Sequence, residues 1–214
     1  MEKITELKQT ILEFLQEELA LDDFRRSHHL FYRNIPTGKQ ILHIAFIKRN
    51  YELEIKANAD IRNNELERLY NVLLGESPDT PTATIGAEFG KLLGEESSMV
   101  WSVKDASDVP LVGNAILAIF RDVVLTFFEK YGSLEKIFEI LDADDAPRQS
   151  FCPIPHVRAE KALLASYLLG QYDDYDDLVN TKLGYLTSIN NPYVHDFLHF
   201  ADRLREKVKT AREY

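Results

Sequence analysis

Twenty residues near the middle of the chain, Val109 to Phe128, form its longest apolar run, with Asn114, Arg121, Asp122 and Thr126 as the polar side chains. Wound as a helix at roughly 100° per residue, Asn114, Arg121, Asp122 and Glu129 share one narrow stripe, and apolar side chains cover most of the remaining surface. Such a helix needs packing on several sides. A membrane span is the competing reading, but Arg121 and Asp122 fall inside the run, where charge is costly in hydrocarbon. The run therefore predicts a core helix joining two halves of the protein, and no membrane partner.

The 214 residues suffice for one large domain or two small ones, and a chain of this size buries roughly 70% of its unfolded surface. The net charge of −10, from 35 acidic and 25 basic side chains, argues against nucleic acid as a ligand, because phosphate binding needs a basic surface. It suits a basic protein partner, although solubility alone gives many proteins an acidic balance. One cysteine, Cys152, leaves no internal disulfide, which fits a reducing compartment. The start, Met1 to Glu6, carries charges where a signal peptide would be apolar, and a cytoplasmic protein is expected.

Before the central run the periodicity changes twice. Ile4, Leu7, Ile11, Phe14, Leu15 and Leu19 recur at helical spacing. Leu30–Ile35 and Ile41–Ile47 then flank Pro36-Thr37-Gly38 as two strands about a turn. Tyr51 to Ala59 alternates strictly, apolar against Glu52, Glu54, Lys56 and Asn58, as a strand with one buried and one wet face. Asn63 or Asn64 caps a helix to about Leu74, stopped by Gly75. Thr84–Leu93 reads as a strand weakened at Gly86 and Gly90, and Met99–Val103 as a fifth.

After Asp108 the pattern is helical. Helices are expected at 109–131, at 134–141 behind Ser133, at 158–169, at about 176–189 and at 192–212, with a proline-bearing linker at 143–157. The turn at 169–175 is similar to that of a tetratricopeptide hairpin, but no second copy recurs at a fixed period. Strands first and helices later predict an α+β fold: an antiparallel sheet of about five strands with flanking helices, followed by an all-helical C-terminal region. The domain boundary is expected at 106/107.

The succession Phe24-Arg25-Arg26, Phe31-Tyr32-Arg33, Ile41–Ile47, Tyr51–Ala59 with Asp60-Ile61-Arg62, and Val100–Val103 ahead of the central helix resembles a family of uncharacterised bacterial proteins, some associated with polymorphic-toxin immunity loci. The likeness spans about residues 3–141 and rests on short motifs. It implies a non-enzymatic protein that binds a toxin or another protein, and it brings no active site.

Several constellations invite chemistry. His195, His199, Asp202 and Glu206 follow one another at four-, three- and four-residue steps. Histidines one turn apart with a carboxylate are a start on a zinc or nickel site, although a solvated helix face gives the same stripe more often. Tyr172 to Asp177 places Asp173, Asp174, Asp176 and Asp177 between two helices. These acids can cap the second helix and oppose its dipole, or receive a basic partner with Tyr172 and Tyr175 as contact aromatics. Cys152 and His156 lack the oxyanion loop of a thiol protease; His28-His29 beside Arg25-Arg26 reads as a small anion site at the sheet edge or, more often for such clusters, as basic residues balanced by the neighbouring Asp22 and Asp23.

No phosphate-cradling glycine loop, dinucleotide fingerprint or nucleophile elbow occurs, and no cofactor is called for. The leading expectation is a non-enzymatic protein-binding module, immunity-like, that meets a basic partner through Glu52, Glu54, Asp173, Asp174, Asp176 and Asp177. The alternative is an enzyme or small-ligand or metal-binding protein with a pocket between sheet and helices. A third reading is a homo-oligomer that buries the outer face of the C-terminal helices.

Overall fold

The computed structural model describes residues 2–50, 52–143 and 145–212. Tyr51, expected to open the alternating strand, lies outside the described residues. In chain order the elements are α1 (Glu2–Leu19), β1 (Arg25–Ser27), β2 (Leu30–Ile35), β3 (Gly38–Arg49), β4 (Glu52–Asn63), α2 (Asn64–Leu74), β5 (Ile85–Glu88), α3 (Phe89–Leu92) and β6 (Trp101–Val103). Then follow α4 (Asp108–Ile119), a π turn (Phe120–Val124), α5 (Leu125–Lys130), α6 (Leu134–Leu141), α7 (Ala146–Gln149), α8 (Pro155–Leu168), α9 (Tyr175–Ser188) and α10 (Val194–Arg212). The fold is α+β, with an antiparallel sheet, flanking helices and a helical C-terminal region.

Two compact units emerge, Met1–Ile61 with Gly86–Lys130, and Arg62–Ile85 with Tyr131–Tyr214. The boundary is therefore not at 106/107. The chain crosses between units inside β4 and inside β5, so the central helix belongs with the sheet and α2 with the C-terminal helices. Nor is 143–157 a linker. It lies in the second unit and holds α7, whose N-cap Asp145 accepts from the Arg148 amide at 3.0 Å.

In the first unit the strand order is β1-β2-β3-β4-β5, with β6 beside β4. The register sets Arg25 opposite Tyr32, Tyr32 opposite Ile41, and Arg33 opposite Gln40. Alternation does what the sequence predicts: Leu42 and Ile44 on β3, and Leu53, Ile55, Ala57 and Ala59 on β4, are buried, while their neighbours face the other way. Helices α1 and α4 pack together, with Leu7, Ile11, Leu15, Leu19, Val112 and Ile116 buried.

The central helix is wetter than its apolar count suggests. Leu111 is exposed along with Asn114, Arg121, Asp122 and Glu129, so the water-facing stripe is broader than expected. The run Asp108–Lys130 is long and apolar enough to cross a membrane by length and composition, yet Val109, Phe120, Val124 and Phe128 are buried, and Arg121 lies 3.2 Å from Glu18 and 3.5 Å from Asp22.

The expected strand 84–93 stops at Glu88, where the chain turns into α3. Its glycines mark close approaches. A Cβ on Gly86 would lie 2.0 Å from Asp60 Oδ1 and 2.8 Å from the Ala59 carbonyl oxygen, and one on Gly90 would lie 2.9 Å from the Ser97 carbonyl oxygen. At both positions the missing side chain is what admits the neighbouring backbone.

In the second unit α8 is central, packing against α2, α6, α9 and α10. Ala159, Ala162 and Ala165 are fully or nearly fully buried, which lets neighbouring helices approach. Asn63 caps α2 by accepting from the Leu66 amide at 3.0 Å, Gly75 ends it at φ 81°, and Ser133 caps α6 by accepting from the Lys136 amide.

Gly86→Ala is expected to cost about 1–3 kcal/mol, because a backbone carbonyl cannot swing aside; chemical denaturation of the full chain giving an unchanged midpoint would refute the close approach.

Candidate functional site

The acidic turn is assembled by the start of α9. Asp173, Asp174, Asp176 and Asp177 are exposed. Asp174 occupies the N-cap position but makes no side-chain capping bond, so the acids act on this helix end through charge alone. One of the four is matched: Asp176 lies 3.1 Å from Arg205, which also holds Asp202. Asp173, Asp174 and Asp177 have no cationic partner among the described residues.

Tyr175 is not a contact aromatic. It is buried, its hydroxyl donates to the Ala201 carbonyl at 2.7 Å, and the Arg205 guanidinium lies 5.9 Å from its ring. Burial pushes its phenol up. Tyr172 is half-buried, with its ring 5.6 Å from Tyr167 and its carbonyl accepting from Arg212.

Glu52 and Glu54 belong to the first unit, on the β4 face opposite Leu53 and Ile55. Both are half-buried and matched, Glu54 by Arg49 at 3.2 Å and Glu52 by Lys104 at 4.0 Å. Arg49, Asn50, Glu52 and Lys104 line a cleft of about 340 Å³. Two arriving cations would compete there with two resident ones. Further along the same strand, Lys56 donates to Ser98 at 2.8 Å, and Ser98 donates to Glu88 at 2.5 Å.

The histidine stripe forms in part. His195 and His199 are exposed and their Nε2 atoms stand 3.0 Å apart. Asp202 does not join them, because its carboxylate is taken by Arg205. Among the described residues no group of three or more His, Cys, Asp or Glu side chains is arranged to hold a metal ion, so the expected three-ligand set His195, His199, Asp202 is not assembled.

Cys152 is buried, which pushes its thiol up and away from a reactive thiolate. His156 stacks on Tyr193 with ring centres 4.3 Å apart, and burial lowers its basicity. At the sheet edge, Arg26 is not balanced by Asp22 or Asp23. It donates to the His28 carbonyl at 2.9 Å and to Gln9 and Gln16 of α1. His29 lies against His43, ring centres 5.0 Å apart.

The largest polar constellation escaped the sequence reading because it is buried. Glu67 of α2, wholly out of water, lies 2.7 Å from Lys161 of α8 and accepts from Thr82. Lys161 also donates to the Ala83 carbonyl at 2.6 Å and sits 5.1 Å from the Tyr70 ring. The neighbouring Glu160 accepts from the Tyr70 hydroxyl at 2.8 Å. Arg158 donates to Tyr185 Oη at 3.0 Å and to the Cys152 carbonyl.

Burial pushes the Glu160 carboxyl up to about 7, further raised by Asp196 and held back by Tyr70 and Lys161, while burial and Glu160 push the Tyr70 phenol up. Such a carboxyl exchanges its proton near neutrality, and the phenol beside it remains a donor. A signal existed: Glu67, Tyr70 and Asn71 stand three and four residues apart, on one helix face with Leu66 and Leu73.

No family model matches this chain. No curated protein and no solved structure matches it either.

The Glu160 carboxyl ordinarily titrates near 4.5 and does so near 7 in the folded chain. Between those values the folded state binds the extra proton, so stability is greatest below the lower value and falls as pH rises through the upper one, by at most about 3 kcal/mol. Glu160→Gln, which keeps an acceptor for Tyr70, is expected to flatten this slope and to stabilise the chain at pH above about 8; denaturation midpoints that follow pH identically in both proteins would disprove it.

Proposed function

We propose that the chain is a non-enzymatic protein-binding module, immunity-like in the sense that it covers a basic surface on its partner. The observation that carries this reading is the turn from Tyr172 to Asp177. Three of its aspartates are exposed and lack a cationic partner among the described residues. Elsewhere in the same unit Asp79, Glu139, Asp142, Asp145, Asp202 and Glu206 each have a lysine or arginine beside them, and the exposed acids without one among the described residues, Glu65, Glu76, Glu135 and Asp196, are scattered along the sequence rather than clustered.

Like charges held together oppose folding, and a site that keeps them offers a field to an incoming cation. The resemblance read in residues 3–141, to uncharacterised bacterial proteins some of which are associated with polymorphic-toxin immunity loci, agrees with a protein partner and says nothing of its charge. Glu52 and Glu54, already matched by Lys104 and Arg49, contribute less than the turn.

The test is recovery of basic proteins bound to the native chain from its host, compared with Asp173→Asn/Asp174→Asn/Asp177→Asn. Partner recovery is expected to fall at least tenfold in the variant and to weaken between about 0.05 and 0.5 M salt. The same partner recovered equally by both proteins at both salt concentrations would refute the electrostatic reading.

A further inference from the structure

The first unit contains a second charged feature, of opposite sign and independent of the acidic turn. A cleft of about 450 Å³ is lined by Ala20, Asp23, Phe24, Arg25, Tyr32, Arg33 and Asn34, a size typical of small-molecule sites. Arg33 is fixed from three directions. Its Nε and Nη2 donate to Gln40 Oε1 at 2.9 and 2.7 Å, its Nη1 donates to the Asp22 carbonyl at 3.3 Å, and its guanidinium lies 5.1 Å from the Phe24 ring.

Gln40 is itself buried, with its amide donating to the Phe128 carbonyl at 3.4 Å. Phe24 is held edge-on against Phe120 at 5.2 Å and stacked on Phe128 at 6.0 Å. The guanidinium is thus preorganised on a rigid base.

What Arg33 lacks is an anion. All three of its hydrogen bonds go to neutral oxygens, which leaves two of a guanidinium's roughly five N–H donors unused. The Asp22 carboxylate is engaged by Arg121. Arg25, exposed on the same cleft, also has no acidic partner among the described residues. The acid on the cleft wall is Asp23, exposed and in the left-handed region at φ 64°.

By the strand register Arg25, Tyr32 and Asn34 stand on one face of the sheet edge and Arg33 on the other, and the cleft is lined from both; arginine recognises the oxygens of a phosphoryl group with paired N–H donors. Two positive charges match a phosphate dianion better than a carboxylate. We propose that this cleft binds a small phosphate-bearing anion, either inorganic phosphate or a small phosphate monoester, with Arg33 as the fixed anchor and Arg25, exposed at the start of the edge strand, as the mobile second cation that reaches it around that edge.

The experiment is a calorimetric titration of the full chain with inorganic phosphate, and in parallel with glycerol phosphate, at constant ionic strength, with acetate as the monoanion control. One saturable site is expected for phosphate and none for acetate. Arg25→Ala, at an exposed position, is expected to weaken it about tenfold. Asp23→Asn, which suits the left-handed backbone, is expected to tighten it severalfold, and Arg49→Ala, in the other cleft, to leave it unchanged. Arg33→Lys, which keeps the charge and loses the fork, is expected to weaken it at least as much as Arg25→Ala. Tighter binding of glycerol phosphate than of phosphate assigns a monoester, and equal affinity assigns the free ion. Absence of saturable binding, or affinities indifferent to Arg25→Ala and Asp23→Asn, would overturn the proposal without touching the acidic turn.

Discussion

Nine consecutive residues of α8, Arg158 to Ser166, are out of water, and three of them carry ionisable groups. Burying a charge alone costs several kcal/mol. The second unit therefore depends on finding a partner for each of the three. Arg158 reaches Tyr185 of α9, Glu160 reaches Tyr70 of α2, and Lys161 reaches Glu67 of α2 and the Ala83 carbonyl. These contacts tie α8 to α9, α2 and the segment ahead of β5, in one rotation and one register. An apolar helix in that place would pack as tightly and specify less. Such an ion pair adds little net stability over apolar residues of the same volume, but losing one partner strands the other, so the pairing selects the arrangement more than it strengthens it.

The first unit solves a smaller version of the same problem by different means. Arg33 alternates onto the face of β2 that carries Phe31, and the register places it opposite Gln40. No carboxylate meets it there. A neutral amide, a carbonyl and an aromatic face hold the guanidinium instead, and the ring beneath it is fixed by Phe120 and Phe128 of the central helix and its π turn. Aromatic packing thus sets the position of a cation. Satisfying donors with neutral oxygens orients the group without neutralising it, which is the condition for it to attract an anion from solvent.

How much of this could be read in the sequence follows from what periodicity encodes. Alternation in β4 and the seam of the last helix at Val194, Phe197, Ala201, Leu204 and Val208 are direct records of burial, and the structure reproduces them except at Val194, which is half-buried. Local chemistry was equally legible at Asn63, Gly75 and Ser133, where one side chain or one φ angle ends a helix. Glu67, Glu160 and Lys161 were not legible, because a pattern of polar and apolar letters assigns charges to water, and only tertiary partners make their burial affordable. The same rule hides the part α8 plays at the centre of the second unit behind its charges, while the apolar run at 109–128 of the first unit advertises itself. Tyr175 erred in the opposite direction: flanked by aspartates it read as a surface aromatic, yet α10 supplies the Ala201 carbonyl that lets its hydroxyl be buried. The two units interleave in sequence, so no composition change marks where one ends.

The net charge of −10 bears differently on the two charged features. Exposed ion pairs contribute little to stability, typically under about 1 kcal/mol each, so those of the second unit matter chiefly by cancelling the fields of the acids they hold. Among the described carboxylates of that unit without cations, Asp173, Asp174 and Asp177 stand together in one turn, whereas Glu65, Glu76, Glu135 and Asp196 are scattered along the sequence. The excess negative charge does not forbid an anion at Arg25 and Arg33, because charges further away than a screening length of about 8 Å are largely masked at physiological salt. Within that radius the local pairing decides: of the residues that line the cleft two are arginines and one is an acid, Asp23, while the nearby Asp22 carboxylate is held by Arg121. An acidic protein can therefore hold an anion site wherever its arginines are denied acids, and the neutral amide of Gln40 opposite Arg33 meets that condition here.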